Sequence, residues 1–116
     1  MKKIKTVYIS SPYSTGNKNT NVRNQLIAAE RLRELNFVPF VPLLTHFWHL
    51  EYEHDWEWWM ELDREYITEL RFDAILRLPG YSKGANEEVE LAKSFGIPVF
   101  YTISALVDWN SNNEFR

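Results

Sequence analysis

Four short runs of β-branched and aromatic residues, each separated from the next by a helix-like stretch, leave this chain few ways to fold. The runs are 6–10 (TVYIS), 37–43 (FVPFVPL), 73–78 (DAILRL) and 97–103 (IPVFYTI). Between the first two, Val22, Leu26, Ala29 and Leu32 recur at helical spacing over 21–35, and Asn36 provides a left-handed stop. The third run follows a long aromatic and acidic stretch, 45–70. Its second half, 55–70, lacks Gly and Pro and is rich in Glu, Leu, Met and Arg, so it reads as helix. A short helix over 87–95, stopped by Gly96, precedes the fourth run. Strand and helix in strict alternation produce a parallel sheet covered by helices on both faces. The two prolines of FVPFVPL place that strand at an edge. From Ser104 the chain turns polar toward its end and reads as a mobile tail.

Size and charge narrow the function. A chain of 116 residues forms one domain, 1–116, with a single core. Its hydrophobic fraction of 45% and charged fraction of 25% are ordinary for a globular protein. A net charge of -3 argues against a grip on polymeric nucleic acid, which needs a basic face. The absence of cysteine excludes disulfides, thiolate catalysis and cysteine zinc sites. The basic start MKKIKTVYIS has too short an apolar run for a signal peptide, and no run could span a bilayer. A cytoplasmic protein without a membrane partner is expected.

In parallel sheets ligands bind beyond the carboxyl ends of the strands, where strand order reverses. The loops 10–20 and 79–88 therefore matter most. Ser10, Ser11, Ser14, Thr15 and Gly16 give the first loop hydroxyls and backbone freedom suited to a sugar or phosphate, and Gly80 and Gly84 allow close approach in the second. Glu87 and Glu88 lie in the first turn of a helix expected to begin just after Gly84. They complement the helix dipole there, worth about 0.3–1 kcal/mol. Alternatively, one carboxylate points into the crevice, kept ionised by the dipole for attack on a carbon. Phe47, Trp48, Tyr52, Trp56, Trp58 and Trp59 form either a wall that stacks on a base or an apolar face packed in the core or against a subunit. His46, His49 and His54 with Asp55 match no strong zinc spacing, so no metal is expected. Arg64, Arg71, Lys83 and Lys93 read as solvated charges, with Lys83 in the loop where a phosphate would sit.

YISSPYSTG followed by a helix, then VPFVP, then DAILRLPGYSKGANEEVELAKSFGIPVFY resembles the nucleoside 2-deoxyribosyltransferase-like family, and is also similar to the deoxynucleoside 5′-monophosphate N-glycosidases. The likeness runs to about Tyr101, and its most specific part is 78–101. It implies a flavodoxin-like three-layer sandwich with a four- to five-stranded parallel sheet. Gly84, Glu88 and Ala92 reproduce the family's spacing around its glutamate, so the resemblance selects Glu88 over Glu87 as nucleophile. Ser82, six residues earlier, stands where glycosidase members hold the 5′-phosphate. The family's second acid corresponds to Asp63, with Glu65 as the substitute, and Tyr13 to a residue supporting the nucleophile or sugar. The implied activity is cleavage of an N-glycosidic bond in a deoxynucleoside or its 5′-monophosphate, by hydrolysis or transfer. It needs no metal or redox cofactor. Relatives associate, which implies a homodimer or higher homo-oligomer. A non-catalytic module that binds a nucleotide or nucleotide-derived signal, and a purely structural oligomer, are the alternatives.

Overall fold

A computed structural model describes residues 4–113. Four strands, β1 (Thr6–Ser10), β2 (Val38–Phe40), β3 (Ala74–Arg77) and β4 (Val99–Phe100), form one sheet in the order β2-β1-β3-β4. Every pairing is parallel. Five helices connect and follow them: α1 (Lys18–Glu34), α2 (Thr45–Glu51), α3 (Trp56–Leu70), α4 (Lys83–Ser94) and α5 (Ile103–Asn113), with a single 3-10 turn over Pro42–Leu44. This is a flavodoxin-like three-layer sandwich. Val7, Ile9 and Leu76 bury one face of the sheet against Ala28 and Leu32 of α1 and Leu106 of α5. Tyr8 and Ile75 bury the other against Ile67 of α3 and Ala92 of α4. The side chains of β1 thus alternate between two cores, as the period of a central strand requires.

The helix starts are set by side-chain caps. Asn17 accepts from Thr20 N at 3.0 Å and starts α1 three residues earlier than the apolar spacing suggested. Asn36 does stop it, at φ 68°. Its buried stripe is Val22, Gln25, Ala28 and Leu32; Ala29 is half-buried and packs against the core, whereas Leu26 is exposed. Asp55 caps α3 through Trp58 N at 2.9 Å. Ser82 caps α4 through Ala85 N at 3.1 Å, so α4 begins at Lys83. Glu87 and Glu88 therefore stand in its second turn rather than its first. The segment after Ser104 is likewise corrected. Instead of a mobile tail it forms α5, because Leu106 is fully buried against the sheet and the Trp109 ring packs at a tilt on Phe100, 5.2 Å between centroids. That docking packs α5 on its own domain; residues 114–116 lie outside the described residues.

Strand order reverses between β1 and β3, whose carboxyl ends are clamped by Leu78 N donating to Ser10 O at 2.8 Å. The loops beyond them touch. Gly80 has φ 117°, and a Cβ there would meet Pro12 Cγ at 2.8 Å, so any side chain would push the two loops apart.

Candidate functional site

A cavity of about 420 Å³ opens at this switch point. Its walls come from the β1 loop, the 3-10 turn, α2, the first two turns of α3 and the start of α4. Glu88 lies at its buried end. Ala85, Glu88, Val89 and Ala92 form the inward stripe of α4, which aims the carboxylate at the carboxyl end of β1. Tyr8 and Ser10 share one face of β1 and both donate to it, Tyr8 Oη to Oε2 at 2.9 Å and Ser10 Oγ to Oε1 at 2.7 Å. Asp63 reaches the same point from α3, between the buried Met60 and Ile67 one turn to either side.

The two acids lie close enough to influence each other's protonation. Burial pushes Asp63 up to about 9, with repulsion from Glu88 adding to the effect. Burial also raises Glu88, but the neighbouring Asp63, hydrogen bonds from Ser10 and Tyr8 and the charge of Arg77 all oppose it. The hydroxyl donors converge on Glu88 while burial weighs on Asp63, an arrangement that favours the negative charge on Glu88 and the proton on Asp63. Environments that separate two carboxyl groups in this way mark one as acid and the other as base or nucleophile. Tyr8 stays protonated, since burial and the neighbouring Glu88 raise it well above the usual phenol range. It is side-chain donors, not the helix terminus, that hold the charge on Glu88.

The other expected residues divide. Ser11 and Ser14 line the cavity, as do Ser82 and Gly84. Ser82 spends its acceptor on the α4 cap but keeps its hydroxyl proton to donate. A Cβ on Gly84 would sit 3.0 Å from Met60 Sδ, so glycine lets α3 and α4 approach at the site. Tyr13 lies on the wall, away from the contacts to Glu88, with its hydroxyl 2.5 Å from His46 Nδ1. Gly16 and Gly80 do not line the cavity: Gly16 serves the turn at φ 82°, and Gly80 the packing of the two loops. Glu65 and Glu87 are exposed and outside it. Trp56 and Trp59 face the cavity, with Lys83 5.2 Å from the Trp56 ring centre, whereas Phe47, Trp48 and Trp58 belong to the outer face of the aromatic cluster. Among the described residues no group of three or more His, Cys, Asp or Glu could hold a metal ion, and no helix is long and apolar enough to cross a membrane.

Three residues of the site were not expected from sequence. Tyr8 reads as a core aromatic until its hydroxyl is seen to end on Glu88. Gln25 is completely buried: its Nε2 donates to Ile9 O at 3.0 Å and Ser11 Oγ at 2.8 Å, and its Oε1 accepts from Leu43 N at 3.2 Å. Arg77, nearly buried at the end of β3, donates to Leu78 O, to Gly80 O at 2.8 Å and to Asn86 Oδ1 at 3.2 Å. It thereby shapes the loop after β3 and places a positive charge near Glu88. An arginine in a strand of otherwise apolar residues was the available signal.

No curated protein and no solved structure shows significant similarity to the chain. Residues 5–101, which carry all of β1 through β4 and every residue of the cavity, match a family described as a domain of unknown function, DUF4406, and the chain belongs to that family.

Proposed function

We propose that the cavity cleaves the N-glycosidic bond of a deoxynucleoside or deoxynucleoside 5′-monophosphate. The observation that carries this reading is the buried Glu88 carboxylate, held by Tyr8 and Ser10 at the closed end of the cavity beside Asp63, whose carboxyl burial pushes up to about 9. Such a site offers a fixed anion and a proton within reach of one another, which is what this bond needs. Glu88 attacks C1′ and forms a glycosyl ester as the C1′–N bond breaks. The bonding electrons leave with the base, which takes the Asp63 proton. Water then attacks C1′, returns a proton to Asp63 and releases the sugar; a second base in place of water would complete a transfer. No step requires a metal or redox cofactor. The amino end of α4, with the Ser82 hydroxyl and Lys83 beside it, favours a 5′-phosphate on the sugar.

The resemblance to the nucleoside 2-deoxyribosyltransferase-like family supports the same chemistry. The outer aromatic face supports association. Phe47, Leu50 and Tyr52 are 57%, 66% and 69% exposed beside Trp48 and Trp58, a cluster that a second copy of the chain would cover, making a homodimer or higher homo-oligomer.

The test is incubation with a panel of deoxynucleosides and their 5′-monophosphates, with chromatography of the released base. Glu88→Gln is expected to abolish release and the exposed Glu87→Gln to leave it unchanged. Equal release from parent and Glu88→Gln would refute the assignment. Binding without release from the parent would leave a nucleotide-binding module.

A further inference from the structure

The cavity wall carries a histidine that the chemistry above does not use. His49 lines the wall, and its Nδ1 accepts two hydrogen bonds, from Trp59 Nε1 at 2.8 Å and from the backbone N of His54 at 3.3 Å. An indole N–H and a peptide N–H can only donate. The neutral imidazole must therefore carry its proton on Nε2. A proton on Nδ1, or a half-turn of the ring, would forfeit both bonds. The tautomer of His46 is not determined in this way, because its partner, the Tyr13 hydroxyl, both donates and accepts.

Among the described residues no buried side-chain nitrogen or oxygen lacks a partner, and none of them bonds to His49 Nε2, so that nitrogen is not buried and is accessible to a ligand. Its distance from the chemistry follows from helix geometry. Trp59, which holds His49, stands four residues before Asp63, about 6 Å along the α3 axis. His49 and Asp63 both line the cavity, so a base that takes its proton from Asp63 can present a further edge to the wall that carries His49.

We propose that His49 is the specificity residue of the cavity, a donor of fixed tautomer that selects bases presenting a carbonyl oxygen over those presenting an amino group. The proposal rests on the base-cleaving reading and names its substrate class, the oxo-bases. A serine or glutamine at this place could rotate to accept from an amino group. His49 cannot, because Trp59 and His54 occupy its acceptor. An amino base would set N–H against N–H and leave both groups without a partner.

The experiment measures binding without turnover. The Glu88→Gln chain is titrated by calorimetry with pairs that differ in an oxo or amino group, deoxyinosine against deoxyadenosine and deoxyuridine against deoxycytidine. Should that variant not fold, kcat/KM of the parent on the same pairs replaces the titration. The oxo member of the bound pair is expected to be preferred about tenfold or more, the effect of one buried donor paired or left unpaired. Adding His49→Phe should reduce the preference to within about twofold, and His49→Gln, which restores an N–H, should recover part of it. Equal binding of oxo and amino members, or a preference that survives His49→Phe, overturns the role of His49 and leaves the base site standing. Failure of every nucleoside and nucleotide to bind overturns both readings.

Discussion

Replacing Asp63 with asparagine tests the central electrostatic claim without depending on the substrate. In the folded chain Asp63 is pushed from 3.8 up to about 9, chiefly by burial and then by Glu88. A carboxyl group raised on folding contributes stability that is complete below its unfolded value and is lost as pH rises toward the folded one. The native chain therefore holds one more proton than the unfolded chain between about pH 4 and about pH 9, and each pH unit in that window removes roughly 1.4 kcal/mol. From about pH 6 to about pH 8 the loss is roughly 3 kcal/mol, a large part of the 5–15 kcal/mol typical of a domain. Asparagine occupies nearly the same volume, donates an N–H toward Glu88 and does not titrate. Asp63→Asn should thus gain stability over the parent as pH rises, the difference widening by roughly 1.4 kcal/mol per unit. Urea denaturation followed by tryptophan fluorescence, repeated across that range for both chains, measures it. The same variant should release base about 10²–10⁴-fold more slowly, because an amide delivers no proton. Stability curves that run parallel across the range would refute the argument, since they would show that Asp63 is ionised in the folded chain as in the unfolded one.

Tyr8→Phe removes one donor from Glu88 while keeping the ring that stacks on Phe40; the carboxylate becomes harder to ionise, so the acid limb of the pH profile of base release should move to higher pH. An unmoved limb would show that Tyr8 does not tune Glu88. Ser82→Ala removes the α4 cap, costing about 1 kcal/mol in denaturation, and should weaken a 5′-monophosphate more than the matching nucleoside. Equal losses for the two ligands would exclude Ser82 from phosphate recognition. Light scattering coupled to gel filtration should find a dimer or larger assembly, which Phe47→Glu with Leu50→Glu should dissociate. A monomer of 13.9 kDa in the parent would remove the association.

The elements legible from sequence are those set by local chemistry. Alternating runs announce the parallel sheet, Asn36 stops α1 through its own backbone, and the prolines of β2 mark an edge. The chain after Ser104 reads as a polar tail because the contacts that order its helix, Leu106 buried in the core with Ile103, Val107 and Trp109 packed against it, exist only once the sheet has formed. The family resemblance selects Glu88 over Glu87 and points to Asp63, with Glu65 as its substitute; position at the helix start by itself does not separate Glu88 from Glu87. Tyr8, Gln25 and Arg77 stayed hidden for a common reason. Each makes its decisive bonds to segments distant in the chain or buried beside it, which no periodicity encodes. Gln25 in particular occupies a core position where the helix pattern favours Leu26.

That buried amide also determines how the cavity can respond to an occupant. Gln25 ties the end of β1, the first loop and the 3-10 turn together with one side chain, and no water is needed to complete its bonds. A ligand settling on this floor meets groups already in position, so little of its binding free energy is consumed in ordering them. The opposite wall is built differently, from the seven-residue α2 and the first turn of α3, whose aromatic rings are largely exposed. Adjustment to ligands of different size therefore falls to that wall, while the distance from the floor to Glu88 stays constant.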